Sequence, residues 1–208
     1  MVVFELQYFP PVSFVSALFK HTYVCLDIYE YYRKMSFRNR CMIAGAGGII
    51  SLSIPLEDGR NQRLPVNEVL ISATENWQLK HLRSIDSSYR KAPFYDHYRD
   101  QLKEIYAQPY RRLADWNLYC LDWLEGLLKW PAVMSFSESR IVHGTAGIAD
   151  LRDQVLPRNF RSWNRLAYRQ VFEERTGFIP NLSILDLLFN VGPAAAGMLK
   201  SLAWEDEK

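Results

Sequence analysis

Apolar residues fall along this 208-residue chain in two rhythms. Near the N-terminus they come in short continuous runs, Val2–Leu6 and Tyr23–Ile28, of the length expected for strands buried on both faces. Between them, Gln7-Tyr8-Phe9-Pro10-Pro11 must turn, because two prolines fix φ and remove two donors. Ser13–Lys20 then sets Phe14, Ala17 and Leu18 at helical spacing. Strand, turn, helix and strand predict a βαβ unit with parallel strands and a right-handed crossover. Ligands of such sheets bind beyond the carboxyl ends of the strands. That rule puts Gln7, Tyr8 and Glu30 at one edge.

Cys41–Ala44 and Ile49–Leu56 are apolar runs around Gly45-Ala46-Gly47-Gly48. No Lys-Ser/Thr follows the glycines and the next segment reads as a strand, so a hairpin turn is expected in place of a phosphate loop. Glu57–Pro65 reads as a surface loop and Val66–Ser72 as another strand. From Asn76 the rhythm becomes helical, with Trp77, Leu79, Leu82, Ile85 and Tyr89 as one stripe. Further helices are predicted over Phe94–Ile105 and Leu113–Leu128, and Pro131–Phe136 is expected to return as a strand to the first sheet. Ser137–Asn164 is polar, and loops with one short helix are expected there. Asn181 or Ser183 can cap a final pair of helices, Ile184–Phe189 and Ala194–Leu202. There is no internal repeat and no linker. The expected architecture is α/β: one domain over residues 1–208, with a mixed sheet from the N-terminal strands and the middle and C-terminal helices packed on it. The hairpin leaves α+β as the alternative.

The segment after the second strand is patterned differently. Glu30, Tyr32, Lys34, Ser36 and Arg38 occupy alternate positions, and Asn39 and Arg40 close the run. In an extended chain all five side chains share one side. This is either a solvated strand face or polar loop, or the wall of a site.

Composition removes several classes. With 49% hydrophobic and 14% aromatic residues the chain is globular. A net charge of +2 is too small for a nucleic-acid surface. Three cysteines, none at metal-ligand spacing, fit a reducing compartment. The first residues lack the basic and apolar regions of a signal peptide, and no stretch reaches the roughly 18 apolar residues of a membrane span, so a cytoplasmic location is expected. HExxH, CxxC and G-x-S-x-G are missing, and Ile50 stands where a third dinucleotide-binding glycine is needed. No metal and no cofactor is called for.

What remains suits an anionic or sugar-like ligand. Lys34, Arg38, Arg40, Lys80 and Lys91 are candidate anion partners. Glu30 and His81 are the acid–base candidates, because they flank those cations. Tyr8, Tyr32 and Tyr89 offer flat hydrogen-bonding walls. These residues, with Asn39, are expected to converge on one pocket near Gln7 and Tyr8, its surplus positive charge held for a phosphate or carboxylate. Asp186 and Asn190, one helical turn apart, either complete that wall or serve capping and core hydrogen bonds.

Several motifs together resemble the WbqC-like proteins: Q-Y-F-P-P at Gln7–Pro11, E-x-Y-x-K-x-S-F-R-N-R at Glu30–Arg40 and L-S-I-P-L at Leu52–Leu56. W-x-x-K-H at Trp77–His81, Y-x-K-A-P-F-Y at Tyr89–Tyr95 and N-L-S-I-L-D-L-L-F-N-x-G-P at Asn181–Pro193 follow in order. The chain is similar to the shorter form of that family. The resemblance implies a bacterial cytoplasmic protein of surface polysaccharide (O-antigen) biosynthesis. It further implies transfer of an acyl or aminoacyl group, glycine among them, to a sugar, with an anionic or nucleotide-sugar ligand and polysaccharide-synthesis enzymes as partners. The family supplies no agreed catalytic residues. A Tyr-x-Ser-Gly segment of longer members has no counterpart between Val142 and Arg165, and Gln7 is followed directly by Tyr8 where many members have Gln-Pro. These departures keep open the alternative of a non-catalytic ligand-binding or partner subunit of a polysaccharide assembly complex.

Overall fold

The computed structural model describes residues 1–163 and 165–202. Strand β1 (Val2–Glu5) is buried along its whole length, as strands covered on both faces must be. The chain turns at the two prolines, crosses over through α1 (Val12–Leu18) and returns as β2 (Tyr23–Asp27), parallel to β1 with Val3 opposite Cys25. The βαβ unit is therefore as the apolar runs predict.

Two later strands complete this sheet. β5 (Val133–Phe136) pairs with β2 on its outer side, and β6 (Ala149–Asp150) pairs with β1 on the other. The order is β5-β2-β1-β6, all parallel. Succession from β1 to β2 to β5 runs one way and β6 lies the other way. The order thus reverses beside β1, where ligand crevices form in such sheets. β6 escapes a reading of hydrophobic rhythm, because it has two residues, Ala149 and Asp150, and no apolar run. β3 (Arg40–Gly45) and β4 (Gly48–Ser53) pair antiparallel, closed by the two-residue turn Ala46-Gly47 with Gly48 at φ 116°. They form their own two-stranded sheet. The fold is α/β, with parallel and antiparallel pairing in separate sheets.

The helices follow their stripes. α2 (Trp77–Tyr89) starts where Asn76 Oδ1 accepts from Leu79 N. α3 (Tyr95–Tyr106) and α4 (Leu113–Leu128) follow, and α4 stops at Lys129, which is left-handed at φ 50°. A single turn, α5 (Glu173–Thr176), precedes α6 (Ile184–Val191), whose cap is Ser183, and α7 (Ala195–Ser201). No described helix is long and apolar enough to cross a membrane.

Two expected extended segments are not strands. Val66–Ser72 forms a 3-10 turn at Val66–Glu68 and then single bridges, Leu70 with Arg112 and Ile71 with Leu56. Pro65 before it supplies no amide, and its partners Leu56 and Arg112 lie outside the named strands. Residues 30–38 form a folded loop instead of an alternating face. Met35 is left-handed at φ 57°, and Ser36 Oγ donates to Arg33 O at 2.6 Å, which reverses the chain. Lys34 is consequently exposed while Ser36, Phe37, Arg38 and Asn39 are buried.

Candidate functional site

β1 and β2 end in acidic residues, Glu5 and Asp27, and both carboxylates are buried. A buried charge must find partners or lose its charge. For Glu5 these come from three directions. Gln7 Nε2 donates to its Oε1 at 2.6 Å, and the backbone N–H of Asp153 donates to its Oε2 at 3.0 Å. Asp153 reaches this position in the left-handed region, φ 60°, just beyond β6. The charge facing Glu5 is the guanidinium of Arg38, which is itself fully buried.

Arg38 is held on every side. Its Nε and Nη2 donate to the two oxygens of Glu30 at 2.8 and 2.6 Å, a bidentate pair. Its Nη1 donates to Asp153 Oδ1 at 2.9 Å, and its carbonyl accepts from Asn117 at 2.7 Å. Arg33, on the rim and 45% exposed in its side chain, pairs with the other oxygen of Asp153 at 2.7 Å.

Three carboxylates thus share two guanidiniums, and the surplus is negative. Burial first of all, and then the Glu5 and Asp153 charges, push the Glu30 carboxyl up to about 7, against the pull of Arg38. Burial likewise raises Glu5. Asp153, which two arginines touch, is held below the usual carboxylate range although burial opposes this. Glu30 is therefore the place where a proton comes and goes near neutrality. Gln7 Oε1 is buried and accepts no hydrogen bond from a described residue, an acceptor left open beside Glu5.

A second ionic chain adjoins the first. Arg152 Nη1 donates to Asp27 Oδ2 at 2.6 Å, while its Nε and Nη2 grip Asp150 at 2.9 and 2.6 Å. Asp27 also accepts from Ser137 Oγ at 2.9 Å, tying the ends of β2 and β5 together. His143 Nδ1 lies 2.6 Å from Asp150 Oδ2 at the exposed end of this chain.

Of the residues singled out from sequence, Gln7, Glu30 and Arg38 meet here. Tyr32, Asn39 and Arg40 lie alongside. Tyr32 Oη donates to Asn39 Oδ1 at 2.9 Å, and Asn39 Nδ2 donates to Ile54 O at 2.9 Å. Burial raises Tyr32, partly offset by the charges of Arg40 and Arg38. Arg40 is half-buried and its buried Nε makes no hydrogen bond to a described residue.

The others do not join them, so the expected single pocket is not formed. Tyr8 and His81 are in an aromatic core. Tyr8 Oη bonds Tyr106 Oη and His81 Nδ1, the latter at 3.0 Å, while Trp77 packs edge-on to the imidazole. Burial lowers His81 to about 4, which favours the neutral ring, and the imidazole lies in this aromatic core and not with Glu30 and Arg38. Tyr89 donates to the buried Asp186 at 2.7 Å and accepts from Ala44 N at 2.9 Å. Tyr168 and Gln170 complete that knot at 2.6 and 2.8 Å. Asp186 therefore serves the core, and Asn190 donates to its carbonyl. Lys34 and Lys80 are exposed, on Asn61 at 3.2 Å and Glu75 at 2.5 Å. Lys91 lines a separate surface cleft of about 460 Å³ with Arg169, Gln170 and Asn190. The surplus positive charge expected of the pocket is replaced by a negative one, because the arginine is matched by carboxylates that come from distant segments.

Sequence reasoning missed Glu5, Asp27, Asp150, Arg152 and Asp153. The first two carried a signal, an acidic residue at the carboxyl end of an apolar strand. Asp150 ends β6 and Arg152 and Asp153 follow it, and that two-residue strand left no pattern.

This is an α/β protein with a buried ionic centre at the carboxyl ends of its parallel strands, beside the point where strand order reverses. The chain belongs to the WbqC-like protein family, which it matches over residues 7–156. That span contains Glu30, Arg38, Arg152 and Asp153 and stops before the Asp186 knot. An uncharacterised protein of Mycobacterium tuberculosis (strain ATCC 25618 / H37Rv), Rv1507c, is 25% identical over 218 residues, covering 93% of this chain and 91% of that protein. No solved structure matches the chain.

Proposed function

We propose that the chain transfers an acyl or aminoacyl group to a sugar-linked acceptor in bacterial surface polysaccharide synthesis, with Glu30 as the acid–base group. The observation that carries this reading is the carboxyl of Glu30, raised to about 7 at the carboxyl edge of the sheet. A group that titrates near the working pH both takes and returns a proton with little loss. In the reaction the acceptor's hydroxyl or amine attacks the carbonyl carbon of an activated donor. A C–O or C–N bond forms and the bond to the donor's leaving group breaks. Glu30 takes the acceptor's proton and hands it to the leaving group. Arg38 holds Glu30 in place, and the half-buried Arg40 guanidinium meets the donor's anionic part. Reactants reach the centre past the rim formed by Arg33 and Asp153.

Membership of the family supports the setting, and the buried proton-exchanging carboxyl supports the reaction type. The complete pairing of Arg38 favours a second reading, a non-catalytic subunit in which the ionic centre only fixes the fold. Purified protein incubated with acyl and glycyl donors and a panel of nucleotide sugars, followed by mass spectrometry, separates the two. An acceptor mass increase equal to the transferred group, lost in Glu30→Gln and retained in His81→Gln, is expected. An unmodified panel, or full transfer by Glu30→Gln, refutes the catalytic reading.

A further inference from the structure

The outer edge of the parallel sheet is open. Among the described residues β5 pairs with β2 alone. Val133 N donates to Thr22 O at 2.8 Å and Ser137 N to Leu26 O at 3.0 Å, so the odd-numbered residues face β2. The N–H and C=O groups of Met134 and Phe136 therefore point outward, and no hydrogen bond to them is made among the described residues. Edge strands are ordinarily blunted by lysine, proline or a bulge. Val133-Met134-Ser135-Phe136 has none of these, and Val133 and Phe136 are 58% and 48% exposed.

Beside this edge runs a cleft of about 600 Å³, between β5 and α4. Met134, Phe136 and Tyr119 give it apolar walls. Asp115, Asp122 and Glu125 supply its charge, and no lysine or arginine among the described residues lines it. None of the three carboxylates is in an ion pair with a described residue. The chain as a whole is at +2, so the acidity is local to this groove.

We propose that this groove docks an extended basic segment of a partner protein, which adds a strand to β5. The outward amides and carbonyls of Met134 and Phe136 supply the ladder. Alternate side chains of the guest enter the cleft, where lysines meet the carboxylates and apolar groups meet Tyr119 and Phe136. The four residues of β5 span about 13 Å, room for four guest residues. The docking face is independent of the chemistry assigned to Glu30.

Fluorescence anisotropy with a labelled six-residue peptide of alternating lysine and valine tests this, against the same peptide with glutamate for lysine. The lysine peptide binds saturably and weakens several-fold as salt rises, and the glutamate peptide does not bind. Met134→Pro removes an outward donor and leaves the bonds of Val133 and Ser137 to β2 in place, so binding weakens about fivefold. Asp122→Asn with Glu125→Gln, on an exposed helix face that does not depend on the edge, weakens it comparably. Equal binding of both peptides, or no binding of either, overturns the proposal. So does a dimer in sedimentation that Met134→Pro dissolves, since the occupant would then be a second copy of the chain.

Discussion

Acidification works on two buried groups in opposite senses. Glu30 has a folded-state value of about 7 against 4.5 when free. The folded protein then binds the extra proton, so this contribution to stability is fully present below pH 4.5 and is lost as pH rises through 7. His81 falls from 6.5 to about 4. There the unfolded chain binds the extra proton, so the contribution is present above pH 6.5 and is lost as pH falls through 4. Each shift is about 2.5 units, worth about 3 kcal/mol at 1.36 kcal/mol per unit. Between pH 4.5 and 6.5 the two slopes oppose one another, and the wild-type curve is flatter than either group alone dictates. Removing one group reveals the other. Urea unfolding of the wild type, Glu30→Gln and His81→Gln, between about pH 4 and 8, measures this. The stability advantage of wild type over Glu30→Gln should shrink by about 3 kcal/mol from pH 4.5 to above 7. Its advantage over His81→Gln should shrink by a similar amount from pH 6.5 down to 4. Burial also raises Glu5 and Asp186, but both are present in all three proteins and enter the differences only through the coupling of Glu5 to Glu30. Curves that stay parallel across this range would refute the assignment of proton binding to these two residues.

Other substitutions separate core from surface. Tyr89→Phe leaves the Ala44 amide without its acceptor and removes the donor to Asp186 Oδ1, and should cost about 1–3 kcal/mol in denaturant unfolding. Gly192→Ala should lower the melting temperature by several degrees, because its φ of 57° suits glycine and a Cβ there would meet the Phe94 ring at 2.4 Å. Lys34→Ala and Lys80→Ala, at exposed sites, should each change stability by no more than about 0.5 kcal/mol and leave any transfer activity intact.

The sequence made the βαβ unit, the hairpin and α4 legible because each rests on local grammar. Continuous apolar runs, a double proline, a glycine turn and a leucine stripe act within a few residues of one another. The site was half legible. Gln7 stood out just past the end of an apolar strand, and Glu30 and Arg38 as alternate members of a polar run. Of their partners, Glu5 closes β1 and Asp153 is brought in by chain topology, 115 positions from Arg38. No spacing rule reports such a contact. The alternation of Glu30, Tyr32, Lys34, Ser36 and Arg38 misled because periodicity implies a shared face only if the backbone is extended, and Met35 turns it. His81 misled for another reason. A histidine between Trp77 and Ile85 lies on the apolar stripe of its helix, and that stripe carries it into the aromatic core, away from Glu30 and Arg38.

The central claim is that the carboxyl edge of the sheet holds a glutamate which exchanges a proton near neutral pH. Carbon-detected NMR of the side-chain carboxyls, with the Glu30 signal assigned from its loss in Glu30→Gln, reads that proton directly. The account predicts a Glu30 midpoint near 7 in the folded protein. A midpoint at or below 4.5 would mean that Arg38 keeps Glu30 ionised throughout, and that the centre is a structural ion pair with no part in proton transfer.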